Sequence, residues 1–310
     1  MERKEWDRMK KTFWSLAAFF ILLFSGLTVQ AEGQSARPIV ALGADLTGQQ
    51  RATVLELMGL TEEDLANCTV ITITNDQEHQ YLDAYIDPKI IGTKSLSSVM
   101  LTKSETGSGV LVSTKNINYC STGMYRNALL TAGLQDTSVL VVGPTQISGT
   151  AGLIGAIKSY ETMTGTTISD KTIDTAMNEL ITTGELETNT QNSEEVEQLV
   201  AYIKAKLAAG ELETDDDIRN AINEGQNKFS VTLTDDEVNK IIDVMHKIKA
   251  LGLDPQVLLT QAQDLYKKFG NDMVNHTEEI IKQSVSDSIK SYFSQMTDRV
   301  KNFFANLIKK

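Results

Sequence analysis

The chain has 310 residues, 41% of them hydrophobic and 6% aromatic, enough apolar material to exclude global disorder. Its formal charge of −12 excludes the basic footprint that nucleic-acid phosphates require. Three scattered histidines and two cysteines without a CxxC pair give no zinc-type spacing.

The first 31 residues read as a secretory signal peptide. Arg3, Lys4, Arg8, Lys10 and Lys11 form a basic start, and a short apolar run follows. Val29-Gln30-Ala31 places small residues before an expected cut ahead of Glu32. An uncleaved anchor is the alternative, although the run is shorter than the roughly 20 residues a spanning helix needs. Either way the remainder is expected to work outside the membrane, secreted or associated with the cell envelope.

Pro38 ends a polar leader, and Thr47 with Gln50 predicts a capping box. Val54, Leu55 and Met58 then recur at helical spacing up to Gly59. The β-branched run at 69–74 predicts a strand, and 75–85 predicts a helix. Strands are expected at 97–103 and 109–114, joined by a hairpin-like 104–108. A helix at 122–132, a buried strand at 138–142 and a helix at 149–163 complete this half. Past Ile168 strand signals stop, and helices are expected near 170–182, 193–209, 215–228, 235–250, 255–269 and 275–308.

Thr214 before Asp215-Asp216-Asp217, and Thr234 before Asp235-Asp236-Glu237, place a capping hydroxyl and acids at a helix start. Consecutive acids suit that role better than a calcium loop. Gly-Glu-Leu-Glu-Thr occurs at 184–188 and again at 210–214. Each copy is read as a glycine that stops one helix and a threonine that starts the next. From Ile281 to Leu307 apolar residues step by three and four, an amphipathic stripe suited to packing or to a membrane surface.

The fold expected is α+β or α/β: a small mixed sheet flanked by helices, then an all-helical region with a long C-terminal helix. The divisions are 1–31, 32–168, 169–274 and 275–310. No catalytic residue, cofactor motif or metal site stands out. Gly143, Ser148, Gly149, Thr150 and Gly152 form a strand-to-helix turn able to cradle a ligand on backbone N–H groups. The turn lacks Walker and GxGxxG spacing, so tight packing is the competing account. Cys68 and Cys120 are candidates for a disulfide, worth about 4 kcal/mol on the chain-entropy model. The alternative is two buried free thiols.

Several segments together resemble a known family: Gly43-Ala44-Asp45-Leu46-Thr47, Met58-Gly59, Ser97-Ser98-Val99, Met124-Tyr125-Arg126-Asn127-Ala128-Leu129, Leu233-Thr234-Asp235 and Gln261-Ala262-Gln263-Asp264-Leu265-Tyr266. Over about 36–270 the chain resembles the DUF1002 (YpuA-like) family of secreted bacterial proteins. That resemblance implies an envelope context and supplies no catalytic residues. The expected function is non-enzymatic binding or assembly, with an envelope protein or wall polymer as partner. One alternative is an extracellular hydrolase of envelope material, using the 143–152 turn with Asp45 or Arg126. Another is attachment to a membrane surface through 280–308.

Overall fold

The computed structural model describes residues 37–252, which belong to one compact unit. The expected leader at 1–31, the helix at 255–269 and the amphipathic helix at 275–308 lie outside the described residues.

Chain order is β1 (Ile39–Gly43), α1 (Gly48–Met58), β2 (Thr69–Ile73), α2 (Asn75–Leu82), the single turn α3 (Pro88–Ile91), β3 (Ser98–Lys103), β4 (Val110–Ile117), α4 (Thr122–Thr131), β5 (Thr137–Ile147) and α5 (Thr150–Thr164). Then follow α6 (Asp170–Thr190), α7 (Ser193–Ala208), α8 (Asp215–Phe229) and α9 (Asp235–Lys249). The architecture is mixed α+β, with the sheet preceding the helical part.

The sheet order is β2-β1-β3-β5-β4. β1 pairs parallel with β2 and β4 parallel with β5, while β3 runs antiparallel to both β1 and β5. Four strands therefore point one way, and β3 separates two parallel pairs. This corrects the expected hairpin. β3 and β4 never pair, because β5 lies between them. β5 also runs further than 138–142, carrying Pro144 where β4 has a register shift around Asn116. A bulge is where a sheet tolerates a residue with no N–H to donate.

Strand alternation divides the core. Val40, Leu42 and Val142 face one side with Val54, Leu55 and Met58 of α1. Ala41, Val99, Leu101, Val139 and Val141 face the other, under α2, α4 and α5. Helix α6 continues that second core through Ile173, Met177 and Ile181, and its Leu186 joins the core of α7, α8 and α9.

The predicted capping box at Thr47 forms, and the predicted capping hydroxyls of Thr214 and Thr234 do cap their helices, each completed to a box by Asp217 or Glu237. The repeated pentapeptide behaves differently in its two copies. Gly210 takes a left-handed φ of 75° after α7, and Thr214 caps α8, as expected. Gly184 instead lies within α6, where a Cβ would come 2.5 Å from Met124 Cε. A missing side chain there admits α4 closely, so the glycine serves packing and the helix runs on to Thr190.

Candidate ligand crevice

The carboxyl ends of β1, β2 and β5 and the start of β3 meet at one end of the sheet. In open α/β sheets ligands lie outside the carboxyl ends of strands, where strand order switches. Here that position holds a cavity of about 320 Å³. Glu78, Thr93, Lys94, Ser97, Ser148 and Thr150 supply its polar lining, and Ile91, Leu96 and Ile147 its apolar lining.

Glu78 comes from α2, whose start is fixed by a capping box between Thr74 and Gln77. Glu78 and Leu82, one helical turn apart, are the buried positions of α2, and Glu78 is only 2% exposed. Its Oε2 accepts a hydrogen bond from Thr150 Oγ1 at 3.2 Å, while its buried Oε1 has no hydrogen-bond partner. Burial pushes the carboxyl up to about 7, against the pull of Ser95, Thr150, Asn75 and the charge of His79.

Thr150 opens α5. The residue before it, Gly149, has φ 93° and gives the helix no side-chain cap. The first N–H groups of a helix lack intrahelical partners and carry its positive dipole end. Glu78 is the carboxyl that hydrogen-bonds the side chain of the first residue of this helix. Ser148 Oγ lies 3.4 Å from Thr150 Oγ1, so hydroxyls lead from the cavity wall to the carboxyl.

The opposite wall is the segment 91–97, held from two sides. Gly92 O faces His79 Nε2 at 3.0 Å and accepts from Asn75 Nδ2 at 3.3 Å. His79 Nδ1 faces Asp83 Oδ1 at 2.6 Å. Both ring nitrogens address acceptors, and only the imidazolium donates from both. The Asp83 hydrogen bond, then that to Gly92, raises the His79 pKa accordingly. From below, Asp45 Oδ2 accepts from Ser95 N at 2.8 Å. A Cβ on Gly43 would lie 2.3 Å from Ser95 O, so β1 must end in glycine for this wall to close.

Of the five turn residues predicted from sequence, Ser148 and Thr150 line the cavity. The other three allow close approach. A Cβ on Gly149 would lie 2.5 Å from Tyr125 Oη, one on Gly152 2.6 Å from Val141 Cγ1, and one on Gly143 2.6 Å from Thr145 O. Asp45 reaches the crevice wall. Arg126 does not, because it pairs with Glu197 of α7. The candidate disulfide is corrected: Cys68 and Cys120 are both free. Cys68 packs with the α1 side of the sheet and Cys120 lies buried with the opposite side, so the sheet separates them. Burial pushes the Cys120 thiol up to about 12.

Sequence reading missed Glu78, because an acid in a first turn ordinarily complements the helix dipole in solvent. The available signal was its spacing of four from Leu82. Among the described residues, no group of three or more His, Cys, Asp or Glu could hold a metal ion. Among them, too, no helix is long and apolar enough to cross a membrane.

No solved structure matches this chain. The uncharacterized protein YpuA of Bacillus subtilis (strain 168) is 37% identical over 258 residues, covering 82% of this chain and 87% of that protein. A family model described as protein of unknown function (DUF1002) matches residues 42–265, the stretch that contains every crevice residue above. The chain belongs to the DUF1002 family.

Proposed function

We propose that this protein is exported and acts at the cell envelope as a binding protein, holding a small polar ligand in the Glu78 crevice. One observation carries the binding reading: Glu78 lines the cavity, and its buried Oε1 lacks a hydrogen-bond partner. Native folds rarely leave a buried acceptor unmet, because the desolvation cost of about 1–3 kcal/mol is then uncompensated. Such a cost is tolerated where function requires the group. The cavity is also near the lower end of the roughly 300–1,000 Å³ of ligand pockets, and it combines an apolar lining with a few convergent polar groups. Glu78 is the one carboxylate among its lining residues, which favours binding over the paired carboxylates of glycoside hydrolysis. Export rests on the basic and apolar start and the Val29-Gln30-Ala31 cut.

The test has two parts. Chain recovered outside the membrane is expected to begin at Glu32; recovery only inside the cell with Met1 intact overturns export. Envelope fractions are then passed over the immobilised full chain and over a Glu78→Leu variant with native circular dichroism. Material retained by the first and lost by the second supports the crevice. Equal retention moves binding elsewhere and overturns this site.

A further inference from the structure

The crevice also specifies the chemistry of what it holds, an inference that rests on the binding reading above. We propose that its ligand is a neutral, hydroxyl-rich group of the carbohydrate class, donating a hydroxyl hydrogen bond to Glu78 Oε1.

An anion such as phosphate would ordinarily take the N-terminal end of α5. That end already meets the protein's own carboxyl, through Thr150 Oγ1 to Glu78 Oε2. A second anion would sit against Glu78 and be repelled. A cation would answer the unpartnered Oε1, but it would share the cavity with Lys94 and with the positive end of the α5 dipole. A neutral donor meets neither obstacle.

Hydroxyls fit the remaining lining better than any other neutral donor. A hydroxyl donates once and accepts twice. Donation satisfies Glu78 Oε1, and the acceptor lone pairs suit the hydroxyls of Thr93, Ser97 and Ser148 and the ammonium of Lys94. An amide carries its donor and its acceptor on different atoms at a fixed spacing, whereas each hydroxyl of a sugar combines both and can serve several lining groups. Ile91, Leu96 and Ile147 then provide an apolar side for the carbon-bound hydrogens of a sugar ring. The volume of about 320 Å³ limits the occupant to a small unit, such as one end of a chain rather than its middle.

The test uses the full chain, labelled with ¹⁵N, and four probes: glucose, N-acetylglucosamine, inorganic phosphate and methylammonium. Amide shifts are read at Ser95, Ser97, Ser148 and Thr150, with Arg219 and Asn239 as remote controls. One or both sugars are expected to move the crevice amides saturably and leave the controls still. Glu78→Gln keeps a hydrogen-bonding oxygen and is expected to bind within a few fold of the native chain. Glu78→Leu, with an unchanged spectrum elsewhere, is expected to lose about tenfold or more. Crevice shifts with phosphate or methylammonium and none with sugars overturn the ligand class while leaving the crevice a binding site. No crevice shift with any probe overturns the ligand class, and the envelope-retention experiment with Glu78→Leu then decides the site separately. Sugar shifts that Glu78→Leu leaves unchanged overturn the role of Glu78 Oε1.

Discussion

Lys204 Nζ lies 2.7 Å from Glu179 Oε1, and both side chains are removed from water. Lys204 also donates to Asn127 O at 2.8 Å and to Thr131 Oγ1 at 2.6 Å, so its three protons are all placed. Thr131 in turn donates to Glu179 Oε2. The network ties α4, α6 and α7 together between the sheet core and the helical core. Burial lowers the Lys204 pKa and raises that of Glu179, so desolvation outweighs their mutual attraction. Such a pair adds little net stability but is costly to break.

Lys204→Met is therefore expected to destabilise the fold by about 3–5 kcal/mol, because Glu179 is left buried alone. Adding Glu179→Leu is expected to restore much of that loss. Urea midpoints at constant slope measure both. If the double variant were as unstable as the sum of the two single ones, the residues would not form an energetic unit.

Glu78 makes stability fall with rising pH. Its carboxyl holds a proton up to about 7 in the fold, against an ordinary value of 4.5. The folded state thus binds more protons than the unfolded state between pH 4.5 and 7, and stability declines across that window and then levels. The decline from this group amounts to up to about 3 kcal/mol. Glu78→Gln is expected to match the native chain near pH 4.5 and to exceed it at pH 8, with a rise of several degrees in Tm. Thermal melts at the two pH values decide it; equal melting at pH 8 would mean that the charged form carries no burial cost.

His79 acts with the same sign from a different cause. Its hydrogen bonds to Asp83 and Gly92 raise its pKa above the ordinary 6.5. Its contribution is complete below pH 6.5 and is lost as pH rises through the folded value. Once neutral, the ring can donate to Asp83 or to Gly92 but not to both. Amide exchange in 91–97 is expected to quicken above that pH more than chemistry alone requires, and His79→Leu is expected to show the fast pattern at all pH values. Exchange in 91–97 that followed the intrinsic rate throughout would show that His79 does not hold this segment.

Gly149→Ala tests the turn that carries Thr150. The residue has φ 93°, and its Cβ would meet Tyr125 Oη at 2.5 Å, while Tyr125 already donates to Gly149 O. A cost of about 2 kcal/mol or more is expected from the backbone alone, with displacement of Tyr125 in addition. Gly48→Ala, where a Cβ meets nothing within 4 Å, is the control and is expected to change stability little. Chemical denaturation of the two variants side by side separates backbone conformation from composition.

Local chemistry made much of this protein legible in its sequence. The capping box at Thr47 and the capping hydroxyls of Thr214 and Thr234 formed as predicted, since each needs only residues within one helix turn. Unlike β1, which was not read from the sequence, strands β2 and β5 and the helical second half followed from short-range apolar patterns in the same way. The long-range pairings did not. The segment 104–108 has hairpin composition, yet β3 pairs with β5 and not with β4, a long-range choice that no local signal encodes. Gly184 and Gly210 sit in identical pentapeptides, yet Gly184 lies inside α6, packed against Met124 and Tyr119, whereas Gly210 follows the end of α7.

The candidate site divides along the same line. Sequence alone marked Ser148 and Thr150, because a strand, a glycine-rich turn and a helix lie contiguous there. Tertiary structure alone brought Glu78 to them across 72 positions of chain and removed it from water. It also set Cys68 and Cys120 on opposite sides of the sheet. Caps and periodic faces are decided within one or two turns of backbone, whereas burial, partner choice and the charge state of a carboxyl are decided by what the whole fold places around it.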